Sequence, residues 1–300
     1  MTTSAHGPMT SLQWQLARDS ALHYEQVLVP AYVGPAADRL VELARLRPGE
    51  SVLDVGCGTG IATRTARAAV GPQAHVLGID VNRHMLEVAR TTVHDVEFRE
   101  GDARRLPVRD HSFDVVLCAH TLQFLADRPR VCGQLARVTR PGGRVVVSAW
   151  ESLDRNPYYA ALADALLAVM GPEVAFAITS ACTLGSDRAL RDLLAGAGLG
   201  PIEVDDVELT VRLGDLARFV PRHLGATPMA LAFRGAGDEA VGTVVDEVRA
   251  RLDPHHTGDV TVPFRQWVAT GHADGHADPH ADGHADLDAD PREREGLSGR

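Results

Sequence analysis

No stretch of this chain is apolar over the roughly 20 residues that a membrane span needs. Lysine is absent, so all 30 basic side chains are arginine, and 40 acids outnumber them for a net charge of −10. Nothing resembles the basic stripe of a nucleic-acid binder, which excludes that partner. The first residues lack a basic-then-apolar signal pattern, so the chain is expected to stay in the cytoplasm. Cysteine is scarce. The four, at 57, 118, 132 and 182, contain no Cys-x-x-Cys pair. That favours reduced, structural thiols over disulfides, and no metal site is expected. What is there is ample apolar material, 45% over 300 residues, enough for one generous core. The Ala-, Arg- and Gly-rich composition is that of a GC-rich bacterial genome.

The most informative segment is Leu53-Asp54-Val55-Gly56-Cys57-Gly58-Thr59-Gly60. An apolar strand runs through glycines into the helical pattern Ile61–Ala66. Such a junction brings free backbone N–H groups towards a ligand, and glycine lets the ligand approach closely. A dinucleotide loop reads Gly-x-Gly-x-x-Gly, but here Ile61 stands where the third glycine belongs. Asp54 is a second departure, because a carboxylate repels pyrophosphate and suits an amine or a sulfonium. Further apolar strands follow at His75–Asp80, Val96–Ala103, Phe113–His120 and Arg144–Trp150, the last entered through Arg140-Pro141-Gly142-Gly143. They are near-continuously apolar rather than alternating, as in a parallel sheet covered on both faces. Asn82 is placed to cap a helix carrying Met85, Leu86, Val88 and Ala89. Alternating strands and helices predict a doubly wound α/β fold.

In order and spacing, these motifs over residues 30 to 150 resemble the class I S-adenosylmethionine-dependent methyltransferases, and most closely the ubiquinone/menaquinone biosynthesis type of methyltransferase domain (family 11). The resemblance implies a Rossmann-like, seven-stranded, mostly parallel sheet with an antiparallel last strand. It implies a helical N-terminal lid over residues 1–47 and a methyltransferase domain over 48–270 with a helical cap insert at about 214–258. Residues 271–300, a His/Ala/Asp repeat with Gly or Pro in each unit, read as a disordered tail. The other reading of that tail is weak metal binding by His272, His276, His280 and His284.

The implied cofactor is S-adenosyl-L-methionine. The implied contacts are Asp54, Gly56, Cys57, Gly58 and Gly60 with their backbone amides, then Asp80 on the ribose hydroxyls with Val81 beside it. Met85 covers the adenine, Asp102 and Ala103 receive its edge, and Ala119 and Tyr24 complete the set. The acceptor is a small molecule methylated on oxygen, carbon or nitrogen, in specialised or quinone-like metabolism. Trp14, His120, Trp150, Tyr158 and His223 are its candidate contacts. His120, at the end of the fourth strand, is either a general base or a shaper of the pocket. Trp14 and Tyr24 line the lid or merely pack it, and His223 with Arg222 reads equally as surface. No membrane partner is expected, and the chain is a monomer or homodimer. The nucleic-acid enzymes' Asn/Asp-Pro-Pro-aromatic and Pro-Cys motifs are missing. The competing reading is a protein of this fold that keeps the cofactor but catalyses another reaction such as cyclisation, or binds without turnover.

Overall fold

The apolar runs become the strands β1 (Val52–Val55), β2 (Val76–Asp80), β3 (Glu97–Glu100), β4 (Phe113–Ala119), β5 (Thr139–Trp150), β6 (Leu199–Asp215) and β7 (Asp259–Ala273). The structure is a computed structural model that describes residues 16–274 apart from 229, 256 and 257. The strands form one sheet in the order β3-β2-β1-β4-β5-β7-β6. Pairings among β1 to β5 are parallel, whereas β7 runs antiparallel to both β5 and β6. The expected sheet is therefore the observed one. Strand order reverses between β1 and β4, and at that point their carboxyl ends leave a crevice.

Both sheet faces are buried, and successive residues feed opposite cores. Val52, Val115, Leu117 and Val146 belong to one cluster. Leu53, Val55, Val116, Val145 and Val147 belong to the other. The first cluster is covered by α2 (Gly34–Leu43), α6 (Pro157–Met170), α7 (Pro172–Thr179), α9 (Leu216–Gly225) and α10 (Ala230–Leu252). The second is covered by α5 (Arg128–Val138) and α8 (Asp187–Gly196). Helix starts are fixed by side chains that accept otherwise orphaned amides. Asn82 accepts from His84 and Met85 at the start of α4 (Arg83–Thr92), Ser186 from Ala189, and Asp215 from Ala217.

The N-terminal region departs from expectation. The apolar spacing predicts two separate helices, 12–28 and 36–46. The structure is helical without a break from α1 (Arg18–His23) through a π-helical segment, Tyr24–Val33, into α2. Pro30 lies in that segment. Proline has no N–H and its ring crowds the preceding turn, and the wider π turn absorbs both effects. Arg64 of α3 (Ile61–Val70) holds the segment down through a 2.9 Å ion pair with Glu25.

The last strand, which the sequence pattern predicts over Val260–Ala269, runs on to Ala273. Thr270, Gly271 and His272 pair with Val146, Val145 and Arg144 of β5. Gly271 lies within the sheet because a Cβ there would press on Leu199 at 3.0 Å. The tail therefore does not begin at Gly271, and His272 is a strand residue. Trp14, His276, His280 and His284 lie outside the described residues.

Candidate active site

A cavity of about 230 Å³ opens at the carboxyl ends of β1, β2, β4 and β5. Its two sides differ in chemistry.

The first side is the glycine loop. Gly56, Gly58 and Gly60 all take positive φ, at 73°, 55° and 87°. The sequence reading sends the loop amides towards a ligand, but four of the five are paired within the protein. Those of Gly56 and Cys57 donate to the Ile79 carbonyl at 2.7 and 3.1 Å, and that of Gly60 donates to the Cys57 carbonyl. The Gly58 amide donates to Asp80 Oδ2 at 2.8 Å. Folding spends these donors on tying the loop to β2, because a buried amide must be paired. What the loop side offers instead is carboxylate oxygen.

Asp80, at the end of β2, accepts from Gly58 on one oxygen and from Asn82 on the other. With the Val81 amide as a third donor, the carboxylate keeps part of its acceptor capacity for a ligand. Burial raises the Asp80 pKa, and the Asn82, Gly58 and Val81 amides oppose the rise. Asp54 is fully buried and accepts from Thr63 Oγ1 at 2.6 Å, at the N-terminal turn of α3. Its Oδ1 has no partner among the described residues. Burial pushes the Asp54 carboxyl up to about 7; the Thr63 hydroxyl lowers it, the nearby Asp80 charge adds to the rise, and the Thr63 amide lowers it. An orphaned carboxylate oxygen beside a half-used carboxylate suits a ligand with a cationic amine and a diol, and repels a pyrophosphate.

Val81, Met85, Asp102, Ala103, Ala119 and Tyr24 also line this cavity. Asp102 differs from expectation in being already engaged. Arg104 grips both its oxygens, with Nη2 at 2.6 Å, and holds its pKa below the usual carboxylate range. It keeps acceptor capacity but is no free carboxylate. Cys57 lines the wall with a buried thiol whose pKa is raised chiefly by burial, which fits a structural role and not a nucleophile. Gly60 does not line the cavity. A Cβ there would meet Phe98 and Val93 at 3.1 Å, so this glycine lets the loop pack on α4 and β3.

The second side is aromatic. Tyr32, His120, Trp150, Tyr159 and His223 line it. His120, at φ 46°, lies flat on Trp150. Tyr32 stacks on Phe264 with ring centroids 4.7 Å apart. Burial pushes the imidazoles of His120 and His223 down to about 3, opposed for His120 by the Gln266 amide, so both are neutral at ordinary pH. Two expectations change here. His223, read equally as surface, is 2% exposed and lines the cavity. Tyr158 is buried behind the wall and reaches the cavity only through His223, to which its hydroxyl is bonded. Tyr32 falls between the helices expected at 12–28 and 36–46, so no helical face pointed to it. Tyr159 was passed over because helix packing explained it equally well.

Among the described residues, no cluster of three or more His, Cys, Asp or Glu could hold a metal ion. No helix there is long and apolar enough to cross a membrane.

A doubly wound sheet with a carboxylate-lined glycine loop at its switch point defines the methyltransferase class of α/β proteins. A methyltransferase-domain family model matches residues 53–147. Methyltransferase GfsG of Streptomyces halstedii is 32% identical over 211 residues, covering 64% of this chain and 70% of that protein. The chain belongs to this family of S-adenosylmethionine-dependent methyltransferases. The ubiquinone/menaquinone biosynthesis C-methyltransferase UbiE of Ectopseudomonas mendocina is 38% identical over 130 residues, 41% of this chain and 50% of that one. The chain spans half or less of the length of that enzyme and of two other curated relatives, 32% and 28%. Among solved structures, the YcgJ protein of Bacillus subtilis matches with a TM-score of 0.54 at 17% identity, over 80% of this chain and 98% of that one. Haemonchus contortus phosphoethanolamine N-methyltransferase 2, solved with S-adenosylhomocysteine, matches with a TM-score of 0.53 at 16% identity, over 87% and 58%. At these identities the two structures speak for the fold.

Proposed function

We propose that this chain transfers a methyl group from S-adenosylmethionine to a small, uncharged, largely apolar acceptor. The observation that carries the proposal is the division of the cavity: carboxylate oxygens line the glycine-loop side, and aromatic rings with neutral imidazoles line the other. Bound S-adenosylmethionine supplies a methyl group on a positively charged sulfur.

The residues divide the work accordingly. Asp80 would hold the ribose hydroxyls with the acceptor capacity that the Gly58, Asn82 and Val81 amides leave. Asp54 would neutralise the amine, directly or through water, with its unpartnered oxygen. Met85 and Val81 would flank the base, with Asp102 at its edge. Tyr24, Tyr32, Trp150 and Tyr159 keep water out, which favours a step in which positive charge disappears. Positioning an already nucleophilic acceptor supplies much of the rate. Where the acceptor must lose a proton, His120 is placed to take it: it is neutral, and among the described residues no group holds either ring nitrogen at hydrogen-bond geometry.

Relatives named for arsenite and for quinone biosynthesis match 110 and 130 residues of this chain. Acceptor choice is assigned to the aromatic wall of Tyr32, Trp150, Tyr159 and His223. The test is calorimetry of the full chain with S-adenosylmethionine and S-adenosylhomocysteine, then labelled methyl donor with a metabolite extract. Binding in both titrations and a labelled small molecule are expected. No heat with either ligand from a folded protein overturns the reading.

A further inference from the structure

Tyr158 and His223 form a buried pair that the methyltransferase reading leaves unexplained. Tyr158 Oη lies 2.9 Å from His223 Nδ1. The phenol is 0% exposed and the imidazole 2%. Only His223 reaches the cavity. The bond between them has two possible directions, and they are not equivalent.

If Nδ1–H donated to the phenol, the Tyr158 proton would need a second acceptor. Among the described residues Oη has no other partner. A buried donor without an acceptor costs more than the bond returns. Burial pushes the Tyr158 pKa upward, so the phenol keeps its proton. The consistent arrangement is therefore Tyr158 O–H donating to Nδ1. In a neutral imidazole this puts the ring proton on Nε2. Among the described residues neither nitrogen of His120 has a comparable hydrogen bond.

We infer that Tyr158 is a positioning residue that fixes His223 as an Nε2–H donor towards the aromatic side of the cavity, where it selects acceptors bearing an uncharged carbonyl oxygen. The inference rests on the proposed division of the cavity for the identity of the ligand, but not for the tautomer. A donor fixed in one direction discriminates, because a hydrocarbon in the same place leaves it unpaired. His223 in this state has no free lone pair for the acceptor and is not its base.

The experiment is long-range 1H–15N correlation on the full chain labelled at histidine, at pH 7. His223→Gln identifies its signals among the 14 histidines. A protonated Nε2 and an unprotonated Nδ1 are expected, with the pattern moving to a tautomer mixture in Tyr158→Phe. A wild-type proton on Nδ1, or the same pattern in Tyr158→Phe, overturns the lock. Titration with acetophenone and with α-methylstyrene, a hydrocarbon of the same shape, tests the selection. Acetophenone should move the Nε2–H signal and bind at least about fivefold tighter. Equal binding, or no shift with either probe at millimolar concentration, overturns the recognition role. Calorimetry with S-adenosylmethionine separately reports on the methyltransferase reading, and the tautomer result stands whichever way it falls.

Discussion

The imidazole of His120 lies on the indole of Trp150 with ring centroids 3.9 Å apart and planes 15° apart. The indole forms the floor and the imidazole the surface of the acceptor side. Trp150 ends β5 and His120 follows β4, so two adjacent parallel strands set this contact. Stacking holds the ring in place, and among the described residues neither nitrogen has a hydrogen-bond partner.

His120→Phe keeps the stacking and removes two buried unpaired nitrogens. It should stabilise the free protein by about 1 kcal/mol. Affinity for S-adenosylmethionine should stay within about twofold, while turnover of an acceptor that must lose a proton should fall about a hundredfold. Thermal melts, calorimetry and labelled-methyl assays separate the three effects. Unchanged turnover on such an acceptor removes His120 from the chemistry.

Asp80→Ala takes away the carboxylate that joins the loop to the ligand. Affinity for S-adenosylmethionine should drop tenfold or more, since hydrogen bonds to a charged group are lost. Calorimetry reads it directly, and equal affinity refutes the role.

Asp54 makes the free protein sensitive to pH. Its carboxyl rises from the usual value of about 4 to about 7 on folding. Between those values the unfolded chain has released a proton that the folded chain retains. Raising the pH through this window therefore favours unfolding. The melting temperature should decline between pH 5 and 8, and the decline should be shallower in Asp54→Asn. The same variant should lose affinity for the cationic ligand. Parallel pH profiles for the two proteins would falsify the assignment.

Two glycines with positive φ provide a controlled comparison. Gly56 has φ 73°, and a Cβ there would sit 2.3 Å from Thr121 Oγ1. Gly142 has φ 79° with nothing within 4 Å. Gly142→Ala should cost about 1–2 kcal/mol for the backbone alone. Gly56→Ala should cost more than that, because the collision adds to the same strain. Denaturant unfolding measures both, and equal losses would show that Thr121 moves aside.

Much of this molecule is legible in its sequence, because the signals are local. Continuous apolar runs such as Val115–Cys118 can only be strands buried on both faces. Asn82 and Ser186 mark helix starts by chemistry that acts within three residues. Asp80 is found by its place at the end of a strand. Other features needed the folded chain. His223 reads as surface in an arginine-rich helix until α9 closes over the sheet. Tyr158 and Tyr159 are neighbours in sequence, yet one is packed behind the wall and the other lines it.

By itself, the sequence determined the parallel sheet, the glycine loop and the carboxylates at the strand ends, because backbone conformation and period-2 burial depend on neighbours along the chain. The tertiary structure alone decided where the loop amides went, that Arg104 holds Asp102, and which way Tyr158 and His223 share a proton. Those outcomes depend on which distant groups are close enough to compete for the same hydrogen bond, and on how much water burial removes from them.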